Sequence, residues 1–293
     1  MRTLSLTIAF ALLLPVLAKA GGPWPQGKGN AYIKLSEWWL RFDRHYTANG
    51  NTDPNLTTGI YNTFLYGEYG ITNRLTGILN ANVFARNVVN EQRSSVNDAV
   101  LVEGEALNGL GDVDIALKYT FTEADAAVPF SVTVLAGLPT GNPQAGALGN
   151  LQTGDGEFNQ LLRLDAAHAF SLVGKAQAYV AAYSGVNNRT EGFSDEFRGG
   201  LEAGLGVDVF ARRLWLISRL DVIESFKNGE SAATFTGSGI FANNAEFTSL
   251  GLEANYYLTE RLGVSVGATG ALRGELIAAS GSMQAGVFLD LQR

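Results

Sequence analysis

The stretch Asp112-Val113-Asp114-Ile115-Ala116-Leu117-Lys118-Tyr119-Thr120-Phe121 decides the fold. Val113, Ile115, Leu117, Tyr119 and Phe121 alternate with Asp112, Asp114, Ala116, Lys118 and Thr120. Side chains of an extended chain point alternately to opposite faces, so the segment is a strand with one apolar and one polar side. Phe197 to Val209 repeats the alternation, with Leu201, Leu205 and Val207 set against Arg198, Glu202 and Asp208. Leu75 to Arg86 and Leu262 to Arg273 do the same.

Working outward, twelve such segments fall at about 30–45, 57–70, 74–87, 109–122, 129–138, 159–170, 175–184, 196–210, 213–227, 246–258, 261–273 and 281–292. The first breaks its own period. Ala31, Ile33 and Leu35 share one parity, whereas Trp38, Leu40 and Phe42 take the other. A one-residue bulge near Ser36 or Glu37 reconciles them. Short turns at 71–73, 123–128, 171–174, 211–212 and 259–260 alternate with long polar loops at 46–56, 88–108, 139–158, 185–195, 228–245 and 274–280. That rhythm predicts an all-β fold, a single transmembrane antiparallel β-barrel of about twelve strands. It is the Gram-negative outer-membrane type, with short periplasmic turns and long external loops.

Composition agrees. The 293 residues include 35 Gly, 16 Phe, 10 Tyr and 4 Trp, and 46% are hydrophobic against 17% charged, which excludes a disordered chain. The absence of Cys excludes a disulfide scaffold, cysteine metal clusters, a thiol nucleophile and a lipid-anchored N-terminal Cys. Arg2, the apolar run Leu4 to Leu17 and Ala18-Lys19-Ala20 together read as a cleavable signal peptide over residues 1–20. Its removal leaves 19 basic against 28 acidic residues, a net charge of −9, which argues against a nucleic-acid partner. No run of 18 apolar residues follows, so only a closed barrel could carry the rest across a membrane. Residues 21–29, with Pro23, Trp24 and Pro25, are expected to be a periplasmic tail or a partial plug, and 30–293 the barrel. Its expected partners are outer-membrane lipid, the barrel-assembly machinery and a small-molecule solute.

The apolar parity is too uniformly Leu, Val, Ile, Ala and Gly for water, so the polar parity faces the lumen. The inward candidates are Lys34, Arg41, Arg86, Lys118, Arg163, Lys175, Arg198, Arg219 and Arg273, with Glu37, Asp43, Glu68, Asp112, Asp114, Asp165, Glu202, Asp208, Asp221, Glu253 and Asp290. Charges of both signs must pair across strands or meet lumen water. Asp112 and Asp114 are expected to ladder with Lys118 and the Arg163 and Arg198 of neighbouring strands, or to bind a cation on a permeation path. Arg163 with Asp165 and Arg219 with Asp221 are i, i+2 pairs suited to structural pairing or to a charge-selective constriction.

Two motifs carry a resemblance. Gly109-Leu110-Gly111-Asp112 leads at once into a strand ending Leu117-Lys118-Tyr119, and Leu138-Pro139-Thr140-Gly141 stands at the exit of the next strand. In this order, behind a signal peptide and among Gly-rich strands, they resemble the outer-membrane family labelled "MetA-pathway of phenol degradation". The resemblance implies a β-barrel that passes small organic compounds, without implying phenol as the solute. The expected function is therefore passive passage of small solutes, hydrophobic or aromatic ones among them. The alternative is a closed structural or adhesive barrel acting through its external loops.

An enzyme is not expected. His168 has lipid-facing parity, but Ser171 three residues on has the opposite one, so the two do not share an outer wall. Two His and no Cys offer no zinc set, and no cofactor motif is present.

Overall fold

A computed structural model describes residues 22–292 apart from 124–125, 148, 150, 173–175, 211 and 231–239. The signal peptide expected over 1–20, together with Gly21, Lys175 and Arg293, lies outside the described residues. The described chain forms strands β1 (Ala31–Tyr46), β2 (Thr52–Gly70), β3 (Leu75–Val89), β4 (Gln92–Arg93), β5 (Val100–Val102), β6 (Glu105–Gly109), β7 (Val113–Thr120) and β8 (Phe130–Leu138). It continues through β9 (Asn159–Ser171), β10 (Gln177–Arg189), β11 (Glu196–Val209), β12 (Arg212–Ser225), β13 (Glu246–Tyr257), β14 (Leu262–Glu275) and β15 (Ser282–Leu291).

Each wall strand pairs antiparallel with its neighbours, and β1 pairs with β15 from Ala31↔Leu291 to Leu40↔Ser282. That last pairing removes both sheet edges, so the backbone hydrogen bonds close on themselves, as a lipid environment demands. β6 and β7 lie one after the other along β3 and form one interrupted wall strand. The result is a closed twelve-stranded antiparallel barrel, with β4 and β5 as a separate hairpin in the loop after β3.

Neighbouring residues show which face meets which solvent. Leu117 is 51% exposed and Leu252 61%, whereas their chain neighbours Lys118 and Glu253 are 2% and 8% exposed. The apolar face is the outer wall and the charged face is the lumen. Tyr119, Phe121 and Phe130 lie on the outer face by the short-turn end, their rings 5.1 and 5.6 Å apart in sequence order. Trp215 and Tyr257, also beside short turns, have the other parity and turn inward.

The bulge expected near Ser36 or Glu37 is not there. β1 keeps unbroken register with β2 from Ala31 to Phe42, and the irregularity falls between Phe42 and Arg44. Trp38, Leu40 and Phe42 therefore continue the inward parity of Lys34. Leu40 and Phe42 pack with Ile60 and Ala278, with Trp38 and Ile240 against them. The shift of parity is a patch of apolar lumen, not a slip of the strand. Glu37 and Arg41 consequently take the outer parity, where the Thr63 hydroxyl donates to Glu37 Oε2 at 2.6 Å.

Several strands run past their expected outer ends. β1 and β2 continue to Tyr46↔Thr52, which shortens the first loop to a tight hairpin. β10 reaches Arg189, still paired with Asn159. Polar residues there pair in water as well as apolar ones do in lipid, so the alternation in hydropathy fades while the ladder continues.

Candidate functional site

Along β1 the lumen can be read from the short-turn end upward: Tyr32, Lys34, Ser36, then Trp38, Leu40 and Phe42. The order gives a polar waist below an apolar chamber.

At the waist, Lys34 Nζ donates to Glu253 Oε1 at 2.8 Å. Arg219, on β12 between the two acids, donates to Glu202 at 2.5 Å and to Glu253 at 2.6 Å. The Tyr179 hydroxyl completes Glu202 at 2.5 Å, and Gln284 reaches Glu253 at 3.2 Å. All of these side chains but Tyr179 border a cavity of about 370 Å³ with Tyr32, Tyr66 and Asn80. Removing one member would strand a partner inside the barrel, which is the costly way to break a buried ion pair.

Above the waist, a cavity of about 490 Å³ is lined by Trp38, Leu40, Phe64, Ile223, Ile240, Phe247 and Ile277. Its polar lining comes from Asn62, Ser249, Thr269, Ser280 and Ser282, and among the described residues no charged side chain borders it. Uncharged, largely apolar walls with a few hydroxyls are the usual lining of a small-molecule pocket.

The loop 139–158 forms one side of the mouth and is held by the residues of the two sequence motifs. Asp112 Oδ1 accepts the Gly141 N–H at 2.9 Å and Oδ2 the Asp155 N–H at 3.1 Å. The Thr140 hydroxyl donates to the Gly111 carbonyl at 2.6 Å. A Cβ on Gly141 would stand 2.6 Å from the Gly154 amide nitrogen, so glycine permits the two arms of the loop to touch. Asn87 Nδ2 donates to the Gln152 carbonyl. Arg189 gathers Glu157 at 2.5 Å, Glu196 at 2.6 Å and Asp155 at 3.3 Å. Three carboxylates share that guanidinium. Burial, with Asp155 nearby, pushes the Glu157 carboxyl up to about 7 despite Arg189.

At the short-turn end, the segment before β1 turns back into the barrel. Trp24 packs with Ala167, Tyr179, Trp215 and Ile217. Lys118 Nζ donates to the Gly22 carbonyl at 3.0 Å and to Glu68 at 3.3 Å.

The sequence candidates are brought together differently from the expected ladders. Asp114 accepts from Asn80 Nδ2 at 3.2 Å and does not meet Lys118, whose carboxylate is Glu68. Arg163 does pair with Asp165, at 2.9 Å from Nε. Arg219 meets Glu202 and Glu253 rather than Asp221, which takes the Tyr183 hydroxyl at 2.7 Å. Arg198 turns to Glu196 at 2.8 Å. Arg86 leaves the lumen: a register shift by Val83 sets it opposite Tyr61 on the outer parity, where it donates to Asn108 at 2.8 Å. Arg273 does likewise, because the shift beside Thr248 turns it outward to Glu224. His168, on the outer face, shares a hydrogen bond of 2.7 Å with the Ala127 carbonyl. Sequence reasoning missed Tyr179 and Arg189, and gave Trp38 and Leu40 the other parity. Leu40 and Trp38 were findable, since they share Lys34's parity with no bulge needed.

No family model matches the chain. No curated protein matches it either. Among solved structures, the chain is similar to the COG4313 outer membrane channel from Pseudomonas putida F1, with 17% identity and a TM-score of 0.55 over 92% of this chain and 98% of that one. It is also similar to LpxR from Salmonella typhimurium, with 9% identity and a TM-score of 0.50 over 89% of this chain and all of that one. The fold is therefore that of the outer-membrane β-barrels.

Proposed function

We propose that this barrel sits in a Gram-negative outer membrane and passes small organic solutes passively, apolar and aromatic ones among them. The observation that carries the reading is the uncharged chamber of about 490 Å³ above the ion-paired waist. Burying apolar surface is favourable by ~25 cal/mol per Å², so a ring-sized solute gains in the chamber what it lacks in water. The likeness to an outer membrane channel from Pseudomonas putida supports a channel, and small organic cargo is what the resemblance to the phenol-degradation family implies. Lipid around the outer wall and the barrel-assembly machinery are its partners in this reading. No reaction is assigned to it, since His168 engages a backbone carbonyl and Ser171 lies on the other parity.

One observation favours the alternative of a closed barrel acting through its loops: ion pairs span the waist and the loop 139–158 is bound to the wall at β3 and β10. Conductance separates the two. The mature protein, and the same protein without residues 21–29, are refolded into planar bilayers with neutral single-ring compounds added. Current steps, interrupted by the aromatic solute and at least ~10-fold less so in Leu40→Glu, are expected, since a charge in the chamber opposes apolar binding. Silence from both proteins would favour the closed barrel.

A further inference from the structure

We propose that the outer wall at the long-loop end of β1, β2 and β3 is a binding site for a phosphorylated glycolipid of the outer leaflet, held by Arg41 and Arg86. The proposal rests on the outer-membrane placement above and not on the passage of solutes.

Parity puts both arginines on the lipid face. Ile33 and Leu35 are 39% and 46% exposed, and the unbroken register of β1 with β2 carries that face through Glu37 and Trp39 to Arg41. On β2 the partner of Trp39 is Tyr61 and that of Arg41 is Gly59. On β3 the register shift by Val83 sets Arg86 opposite Tyr61 and Val88 opposite Gly59. The site is therefore two rows across the wall: Trp39, Tyr61 and Arg86, then, one pleat nearer the long loops, Arg41, Gly59 and Val88. With strands ~4.8 Å apart and a rise of ~3.3 Å per residue, the two arginine Cα atoms stand ~12 Å apart. Gly59 leaves a dip between them, and the Tyr61 ring leans over it. A Cβ on Gly59 would lie 2.9 Å from the ring and 3.2 Å from its hydroxyl, so the phenol oxygen points toward the long-loop end.

The height is that of lipid headgroups. Trp39, Tyr61 and the 45% exposed Phe84 form an aromatic belt on these strands. Trp and Tyr settle where hydrocarbon meets headgroups, so the charges beside and just beyond them stand among the headgroups.

The two guanidiniums are uncommitted. Arg41 is exposed, and among the described residues its side chain has no ion pair or hydrogen bond. Arg86 donates from Nη1 to Asn108 Oδ1 at 2.8 Å, which orients its plane and leaves its charge without a carboxylate among the described residues. Glu37, four residues nearer the hydrocarbon, accepts from Thr63, and Asp43 stands exposed at the register shift beyond Arg41; neither meets a guanidinium. Arg273, which also turns outward, is by contrast neutralised by Glu224. A guanidinium fork matches phosphate oxygens in pairs. Two of them ~12 Å apart, above aromatic rings that take acyl chains, suit a disaccharide lipid with a phosphate at each end better than a glycerolipid with one.

The mature protein is refolded into phosphatidylcholine vesicles doped with bisphosphorylated lipid A, or with the same lipid stripped of its phosphates. Resistance to added protease reports insertion of every variant, and native mass spectrometry after detergent extraction reads the lipid retained. The wild type should retain the phosphorylated lipid and not the stripped one. Arg41→Gln with Arg86→Gln should weaken retention at least ~10-fold, since each change removes hydrogen bonds to a charged group. Arg273→Gln should leave it unchanged. Equal retention of the two lipids, or full retention by the inserted double variant, would overturn the site and leave the barrel in its membrane. A wild-type protein that protease digests completely would overturn the membrane placement and the site with it.

Discussion

Asp112 concentrates the residue-scale argument. Its two oxygens accept two backbone amides, from Gly141 and Asp155, on opposite arms of one loop. Asp112→Ala orphans both N–H groups, a loss of ~1–3 kcal/mol in the local opening of that loop. Asp112→Asn keeps one good acceptor and should cost less. Limited proteolysis of the loop 139–158 reads the order: wild type slowest, the Asn variant next, the Ala variant fastest. Equal cleavage of all three would show that the clamp holds nothing. The motif was visible in the sequence; its partner was not. Gly109 to Asp112 and Leu138 to Gly141 are separate words in the chain, and only the antiparallel pairing of β7 with β8 brings them face to face.

The loop as an element carries a pH dependence. Glu157 and Asp155 come from the loop, Arg189 and Thr190 from the end of β10, and Glu196 from β11. Glu157 is raised to about 7, so the folded loop holds its proton more tightly than the unfolded one. Stability from such a group is fully present below its unfolded value and is lost as pH rises through about 7. Amide exchange in 139–158, corrected for its intrinsic rate, should be slower at pH 5 than at pH 8. Glu157→Gln should flatten the upper part of that change, and an unchanged profile would count against Glu157 as its source. At this scale legibility follows the solvent. β7 and β11 read cleanly because lipid and lumen differ sharply in what they tolerate. β1 misled because its inner face turns apolar at Trp38, and β3 misled because the bulge by Val83 adds a residue without altering composition. A bulge leaves no mark in hydropathy when small or neutral residues surround it, so Arg86 could not be placed from the sequence.

Over the whole molecule the two solvents lie one residue apart, and that makes the architecture testable at adjacent positions. Leu252 and Glu253 sit midway along β13, one facing lipid and the other the waist. Leu252→Arg puts a charge against the outer wall, where the cost near the bilayer midplane is ~2–4 kcal/mol. Glu253→Gln leaves the wall intact but strips Lys34 and half of Arg219 of their carboxylate, the kind of loss that costs ~3–5 kcal/mol when buried. Lumen water screens some of that, so the second cost should fall toward the lower figure. The double change Lys34→Met with Glu253→Met removes both charges and should recover part of it. Urea unfolding in lipid vesicles measures all three. The lipid-face variant should show the same penalty at any ionic strength, since no salt enters the hydrocarbon. The waist variants should respond to salt if the lumen is wet, and a salt-independent Glu253→Gln penalty would mean a dry, permanently closed waist. That single comparison tests the barrel's inside-out patterning and the open waist that the channel reading needs.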